Sequence, residues 1–217
     1  MKTDVQLKKD VTHELEWDPS INATHIGVAV EDGVVTLTGH LPTFAEKQAA
    51  ENAARRVAGV RAIAVELDVR LEPRHQRSDA EIAAAIETAF KWHAQIPDER
   101  IQVRVEKGWV TLTGEVDWDY ERHNAETTAR PISGVVGVIN KLVLRHRDAP
   151  KYIAERIHDA LVRAAEDEAR DIRIDVKGDT VTLSGSVSTW AQRTAAQTAA
   201  WCAPGVSRVV NEIRIAI

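Results

Sequence analysis

Residues 35–39 read Val-Thr-Leu-Thr-Gly, and the motif returns unchanged at residues 110–114 and as Val-Thr-Leu-Ser-Gly at residues 181–185. The offsets between the three copies are 75 and 71 residues, and other apolar positions keep these offsets without a gap. A second glycine follows twenty residues after each motif, at Gly59, Gly134 and Gly205. The chain is therefore a threefold repeat, and we place its units at residues 3–72, 78–147 and 149–217.

Each unit shows the pattern of two helices and three strands. Its opening segment carries an apolar residue at every fourth position, such as Leu7, Val11 and Leu15, which is typical of a helix with one buried face. Two alternating segments follow, joined by a two-residue turn, and a second helix and a last strand complete the unit. The order of strand, helix and strand favours parallel pairing of these strands. We predict an α+β fold of three tandem αββαβ units, each a small mixed three-stranded sheet with two helices on one face.

Glycine and capping residues mark the ends of these elements. The turn pairs are Asp32-Gly33, Lys107-Gly108 and Gly178-Asp179, and glycine at the second or first place suits a type I′ or II′ hairpin turn. Four Ser or Thr residues with Glu or Gln three positions later predict capping boxes at Thr3–Gln6, Thr43–Glu46, Ser78–Glu81 and Thr189–Gln192. The glycines expected to be structural are Gly33, Gly39, Gly59, Gly108, Gly114, Gly134, Gly178, Gly185 and Gly205.

Composition and charge restrict the class of protein. The 217 residues are 44% hydrophobic and 28% charged, as in ordinary globular proteins, and carry a net charge of -5. This acidic balance argues against nucleic acid as a partner, because nucleic-acid-binding surfaces are basic. No apolar run approaches the roughly 18 residues of a transmembrane helix, and residues 1–20 lack the apolar stretch of a secretory signal. We expect a cytoplasmic protein, with peripheral attachment to the membrane left open.

The residue types that commonly carry catalysis or bind metal ions are scattered. No two of the eight histidines occupy equivalent positions in different copies, and none forms a helical i, i+4 pair with a third ligand nearby. The single cysteine, Cys202, has no candidate base, and the acidic run Glu166-Asp167-Glu168 lacks the spacing of a calcium-binding loop. The sequence therefore predicts no catalytic residue, no metal site and no cofactor.

The repeated unit resembles the BON domain, a bacterial module of osmotically induced and transport-associated proteins. The residues that carry this resemblance are the motifs ending at Gly39, Gly114 and Gly185, the pairs Gly59-Val60, Gly134-Val135 and Gly205-Val206, and the last-strand segments Val138-Ile139-Asn140 and Val209-Val210-Asn211. The resemblance covers nearly the whole chain and implies binding to phospholipid or cell-envelope surfaces, protection against osmotic shock and no catalytic residues. Copy one departs from the pattern with Val65 in place of the asparagine, and many relatives carry an export signal that residues 1–20 lack.

Asn140 and Asn211 fall on the apolar side of the last strand by strand parity. A buried amide must be hydrogen-bonded, so the simplest interpretation is a hydrogen bond to a neighbouring backbone group. Contact with a ligand is the alternative, and it makes both residues candidate binding residues.

Six tryptophans stand against two phenylalanines and two tyrosines. Trp17 and Trp92 end the first helix of copies one and two, and this shared position predicts structural packing. Trp109 has the opposite strand parity to its apolar neighbours and should face away from the helices. With Trp118 and Tyr120 it forms a candidate aromatic binding surface, suited to a membrane interface or a protein contact. The alternative is that these three rings fill interfaces between copies.

Two functions fit these observations better than an enzyme does. The first is binding of a phospholipid or membrane surface by stress-associated BON-like modules. The second is a cytoplasmic protein–protein interaction scaffold, whose tandem units give avidity for a protein partner or for a second copy of the chain. The acidic charge favours the second function, because anionic membranes attract basic clusters. If aromatic insertion is the binding mode, Trp109→Ala combined with Trp118→Ala is expected to weaken liposome binding.

Overall fold

The computed structural model describes residues 2–145, 152–164 and 172–215. Copy one contains α1 (Asp4–Trp17), β1 (Ile26–Glu31), β2 (Val34–Leu41), α2 (Phe44–Arg56) and β3 (Ala62–Val69). Copy two contains α3 (Asp79–Trp92), β4 (Ile101–Glu106), β5 (Trp109–Val116), α4 (Asp119–Ala129) and β6 (Gly137–Leu144). Copy three contains α5 (Ile153–Ala164), β7 (Ile172–Lys177), β8 (Thr180–Val187), α6 (Trp190–Trp201) and β9 (Arg208–Ile215). The predicted α+β fold, with a small three-stranded sheet in each αββαβ unit, is confirmed.

The three sheets share one strand order, in which the second strand of each copy lies in the middle. In copy one, Leu37 of β2 lies opposite Val28 of the antiparallel β1 and opposite Val65 of the parallel β3. Copy three repeats this pairing around β8. A two-residue turn can join only antiparallel neighbours, whereas the helix between β2 and β3 returns the chain for a parallel pair.

The core of copy one lies between its helices and its sheet. Leu7, Val11 and Leu15 of α1 are at most 2% exposed, and they pack with Val35 and Leu37 of β2. The second helix of each copy contributes mainly alanines to the core, and α2 adds the buried Phe44 at its first position. These buried alanines are Ala50, Ala53 and Ala54 in α2, Ala125 and Ala129 in α4, and Ala196 and Ala200 in α6. The apolar stripe of α5 is described at Ile153 and Ile157, and the side chain of Leu161 lies outside the described residues.

The hairpin turns have the conformations that their glycines predict. Asp32 and Gly33 both have positive φ, 50° and 74°, as in a type I′ turn, and the turn of copy two repeats these values closely. In copy three the glycine stands first, and Gly178 has a φ of 63°, which a type II′ turn requires. Exchanging the place of the glycine therefore preserves the hairpin.

An aspartate in the first turn of the first helix binds the hairpin turn, a contact that we call the aspartate clamp. The Asp4 carboxylate accepts hydrogen bonds from the backbone N–H groups of Asp32 and Gly33, at 2.9 and 3.0 Å. Asp79 makes the same two contacts with the turn of copy two, at 2.8 and 2.9 Å. The carboxylate also lies where the helix dipole favours negative charge. The clamp thus joins the start of the helix to a turn 28 residues further along the chain.

Three of the four predicted capping boxes are confirmed, at Thr3–Gln6, Ser78–Glu81 and Thr189–Gln192. The fourth prediction, the box at Thr43–Glu46, is wrong for one of its two hydrogen bonds. Thr43 accepts a hydrogen bond from the Glu46 N–H at 3.2 Å, but the Glu46 carboxylate accepts from the backbone N–H of Asn22 at 2.6 Å. The fold brings this distant donor within reach of Glu46, and the side chain therefore ties α2 to the segment before β1.

The glycine that ends the repeated motif lies where two backbones approach closely. Gly39 has a φ of 122°, and a Cβ built there would lie 1.9 Å from the backbone carbonyl oxygen of His25. Gly114 has a φ of 132°, and its Cβ would lie 2.1 Å from the carbonyl oxygen of Arg100. No side chain fits at either position, so the close approach of the hairpin strands requires glycine there.

The chain forms two compact units, one of residues Met1–Val116 with Glu121–Val143 and the other of Asp117–Tyr120 with Leu144–Ile217. Over the described residues, no helix combines the length and the apolar character needed to cross a membrane.

Candidate interaction surface

Two tryptophans at equivalent helix ends are almost fully exposed. Trp17 is 83% exposed and Trp92 is 87% exposed, so the prediction that they pack structurally is wrong. Helical geometry gives the reason: at about 100° per residue, Trp17 lies about 200° around the helix from the buried Leu15. Trp92 has the same relation to the buried Phe90. We call Trp17 and Trp92 the helix-end tryptophans.

A charged network fixes the helix end that carries Trp17. The Arg56 guanidinium, at the end of α2, donates to Glu14 at 2.9 Å and to Asp18 at 3.0 Å. These two acidic residues lie on either side of Trp17 in the sequence. The hydroxyl of Ser20 also donates to Asp18, and this contact, with those from Arg56, lowers the pKa of the Asp18 carboxyl. The two carboxylates in turn raise the pKa of Arg56. The exposed ring is thus attached to a helix end that is tied to the neighbouring helix.

Trp109 lies on the sheet of copy two and remains half exposed. Its ring lies over Gly137 in β6, where an added Cβ would come within 2.4 Å of a ring carbon. The adjacent Val110 is fully buried and Trp109 is 49% exposed, so the two side chains point to opposite faces of the sheet. Gly137 leaves room for the ring, whereas copies one and three have Ala62 and Arg208 at that position.

The other two members of the predicted aromatic surface belong to the second compact unit. Trp118 precedes α4 and is half-buried. Tyr120 lies in the first turn of α4 and is 49% exposed. Each of the three predicted aromatic residues therefore has part of its surface open to solvent.

Asn140 and Asn211 anchor the second helix to the last strand. The Asn140 amide donates to the backbone carbonyl of Arg122 at 2.9 Å and to the Glu126 carboxylate at 3.1 Å, and its oxygen accepts from the Leu142 N–H at 3.1 Å. Asn211 makes equivalent contacts 18, 14 and 2 residues away. In copy one, which has Val65 here, the ammonium of Lys47 in α2 donates to a β3 carbonyl at 2.7 Å, as the equivalent Arg193 does to a β9 carbonyl in copy three.

Replacing Asn140 by alanine is expected to lower the free energy of unfolding by about 1–3 kcal/mol, because three partly buried hydrogen bonds disappear. Chemical denaturation followed by circular dichroism measures the change. The control is Asn124→Ala in the same helix–strand unit, since Asn124 makes an exposed contact with Gln95 at 3.1 Å. Equal losses in the two variants would contradict the anchoring role of Asn140.

Two of the described histidines form a close pair that was not predicted from the sequence. The rings of His25 and His40 stack with centroids 4.8 Å apart and planes inclined by 16°. Hairpin register could have predicted this pair, because Ile26 lies opposite Gly39 and the next positions outward are His25 and His40. Within the described ranges, no three His, Cys, Asp or Glu side chains are placed to hold a metal ion. Cys202 is exposed at the end of α6.

Two of the predictions about chemical groups fall outside the described residues. They concern His146 and the acidic run Glu166-Asp167-Glu168.

Comparison with known proteins agrees with the repeated fold. The BON domain family model matches the chain three times, at residues 3–70, 78–146 and 151–217. The chain therefore belongs to the BON domain family. It is 31% identical over 127 residues to the osmotically-inducible protein Y of Escherichia coli (strain K12). This match covers 57% of the chain and 63% of that relative, which is less than two thirds of its length.

Two solved structures of CdsD, a structural protein of the type III secretion system of Chlamydia trachomatis, also align with the chain. The first, its C-terminal domain, is 12% identical, with all of both chains covered and a TM-score of 0.26. The second is 13% identical, covers 96% of this chain and 91% of the other, and has a TM-score of 0.24. At these TM-scores the likeness supports no conclusion about this chain.

Proposed function

We propose that this BON protein is a non-catalytic, stress-associated module that binds phospholipid membrane surfaces from the cytoplasmic side. Membership of the family and the relative named for osmotic induction support the association with stress. The observation that carries membrane binding is the exposure of the helix-end tryptophans, at 83% and 87%. Both belong to the same compact unit, and Trp109 adds a third half-exposed indole to that unit.

Indole side chains suit the boundary between water and hydrocarbon. The ring is largely apolar but carries an N–H donor, so it is best satisfied at the headgroup level of a bilayer. Two anchors on one unit also bind more tightly than one, provided that both reach the membrane together. The helix-end tryptophans therefore act as peripheral anchors and do not span the bilayer.

The charge of the chain determines which lipids it binds. With a net charge of -5, the protein gains little from the negative potential of an anionic membrane. Aromatic insertion depends on apolar contact, which salt screens only slightly. We therefore expect similar binding to neutral and anionic vesicles, and little change between low and physiological salt.

Replacing both helix-end tryptophans is expected to reduce liposome binding by about tenfold or more. This corresponds to a loss of at least about 1.4 kcal/mol of binding free energy when the contacts of both rings with the membrane are removed. Co-sedimentation of the full chain with phosphatidylcholine vesicles measures the effect for Trp17→Ala with Trp92→Ala. The matched control is Val5→Ala, which removes a 79% exposed apolar side chain from the opposite end of α1. Trp109→Ala with Trp118→Ala tests the other aromatic residues in the same assay.

The outcomes separate the binding modes. Unchanged pelleting of the Trp17→Ala, Trp92→Ala variant would contradict insertion through the helix ends. Pelleting only with anionic vesicles at low salt would show that a local basic patch, and not the tryptophans, contacts the lipid.

A protein–protein interaction scaffold is the second candidate function, and the acidic surface charge favours it. Absence of pelleting under every condition would support this candidate. The exposed tryptophans would then contact a protein partner or a second copy of the chain, and sedimentation velocity of the purified protein would detect self-association.

A further inference from the structure

A cavity of about 360 Å³ opens in copy one at the carboxyl ends of the parallel strands β2 and β3. Its walls are formed by residues before β1, at the end of β2 and after β3. The residues that line it are Asn22, His25, His40, Leu41, Pro42, Arg70, Leu71 and Glu72. Ligands of sheets with parallel strands commonly bind outside the carboxyl ends of those strands, and this volume lies in the range of small-molecule sites.

The cavity combines apolar walls with three basic side chains. Leu41, Pro42 and Leu71 supply the apolar part. His25, His40 and Arg70 also line the cavity, and the two imidazole rings are stacked. Imidazolium and guanidinium groups donate charge-assisted hydrogen bonds to oxyanions. The stacked arrangement does not suit a metal ion held between the two rings, because each nitrogen lone pair lies in the plane of its ring and the planes are nearly parallel.

The carboxylates near the cavity already have partners. Glu72 is paired with Arg74 at 2.8 Å, and Glu46 accepts the hydrogen bond from the Asn22 N–H. The ion pair between Arg70 and Asp68 is long, at 3.9 Å, and both side chains are exposed. Arg70 can therefore turn its donors to a ligand without breaking a short contact.

The corresponding residues of copy two are different. Repeat register puts Arg100 and Glu115 in place of the two histidines, and Asp117 in place of Pro42. Asp117 lies 3.7 Å from Arg145, the counterpart of Arg70, and supplies a negative charge that copy one lacks at this position. The histidine pair and the proline thus distinguish copy one.

We infer that the cavity of copy one binds a phosphate group, held by Arg70 and by the His25–His40 pair. The phosphate belongs either to a small soluble phosphate monoester or to a lipid headgroup. Its oxygens accept hydrogen bonds from the imidazoles and the guanidinium, while Leu41, Pro42 and Leu71 contact the carbon skeleton of the ester. This inference does not depend on membrane binding by the tryptophans.

Titration of the full chain with inorganic phosphate and with glycerol phosphate tests the site. Histidine ring signals are followed by NMR in chloride buffer at about pH 6, within the range where histidine changes charge. The signals of His25 and His40 are expected to shift saturably, with glycerol phosphate binding more tightly than phosphate. Arg70→Gln is expected to weaken binding by about tenfold or more. The matched control is Arg145→Gln, which removes the counterpart in copy two and should leave the titration unchanged.

The absence of a saturable shift would overturn the inference, as would equal weakening by Arg70→Gln and Arg145→Gln. Vesicles with and without phosphatidic acid then distinguish the source of the phosphate. If glycerol phosphate displaces the protein from phosphatidic acid vesicles, the site takes a lipid headgroup; if it binds without displacement, the site takes a soluble ester. The Trp17→Ala, Trp92→Ala variant should keep the phosphate shift even where it loses vesicle binding, so the two proposals fail separately.

Discussion

Gly39→Ala is expected to lower the free energy of unfolding of copy one by about 3–5 kcal/mol, among the largest effects of a single substitution. The new Cβ would lie 1.9 Å from the carbonyl oxygen of His25, a backbone atom that cannot move without separating β1 from β2. A domain of about 70 residues rarely has more than about 3–5 kcal/mol to lose. Copy one should therefore lose its fold, which denaturation followed by circular dichroism and two-dimensional NMR would show as lost cross-peaks.

The matched control is Gly59→Ala in the same copy. Gly59 also has a positive φ, 99°, but an added Cβ would meet only side-chain atoms of Leu7 and Lys2, at 3.7 and 3.8 Å. The control carries the conformational strain without the backbone clash and should cost about 1–2 kcal/mol. If the two variants were equally stable, the close approach of the strands would not be the reason for glycine in the motif.

Asp4→Ala is expected to lower the free energy of unfolding by about 1.5–3 kcal/mol, because two hydrogen bonds from backbone N–H groups to a carboxylate disappear. The turn donors of Asp32 and Gly33 lose the partner that joins them to α1. Asp79→Ala should have the same effect in copy two, since its clamp has nearly the same distances. Urea denaturation of each single variant measures both losses.

Asp10→Ala provides the control for charge and helix position. Asp10 lies on α1 and forms an exposed ion pair with Lys2 at 2.6 Å, which lowers the pKa of its carboxyl. Exposed pairs of this kind contribute little to stability, so this variant should unfold close to the parent protein. A loss as large as that of Asp4→Ala would mean that removal of charge from α1, and not the clamp, causes the effect.

The fold could be predicted from the sequence because its determinants are local and occur three times. A turn pair such as Asp32-Gly33 fixes the hairpin register, and the four-residue spacing of Leu7, Val11 and Leu15 defines the buried face of α1. Helix caps are also local, which explains why Thr3–Gln6 and Ser78–Glu81 were predicted correctly. Where local pattern and overall fold agree, a single sequence contains enough information.

Features that depend on distant residues were not predictable in the same way. Glu46 leaves its capping box for the N–H of Asn22, a donor 24 residues away. Two other features could have been derived from the sequence but were not. The stacking of the histidines follows when the hairpin register is extended by one position, and the exposure of Trp17 follows from its angle around the helix from Leu15. Both of these were accessible from the sequence, whereas the bridge from Arg56 to Glu14 and Asp18 depends on how α1 packs against α2.

The charged network of Arg56 at the end of α1 has a consequence for the kinetics of binding. A ring on a loop must be ordered when it meets a partner, and that ordering lowers affinity. Trp17 stands at the end of a regular helix that Arg56 holds in place, so little besides its own two side-chain torsions remains to be restricted. Contact through this ring therefore needs no prior rearrangement of the backbone. Variants at Trp17 should change how long the protein stays on its target much more than how fast it arrives.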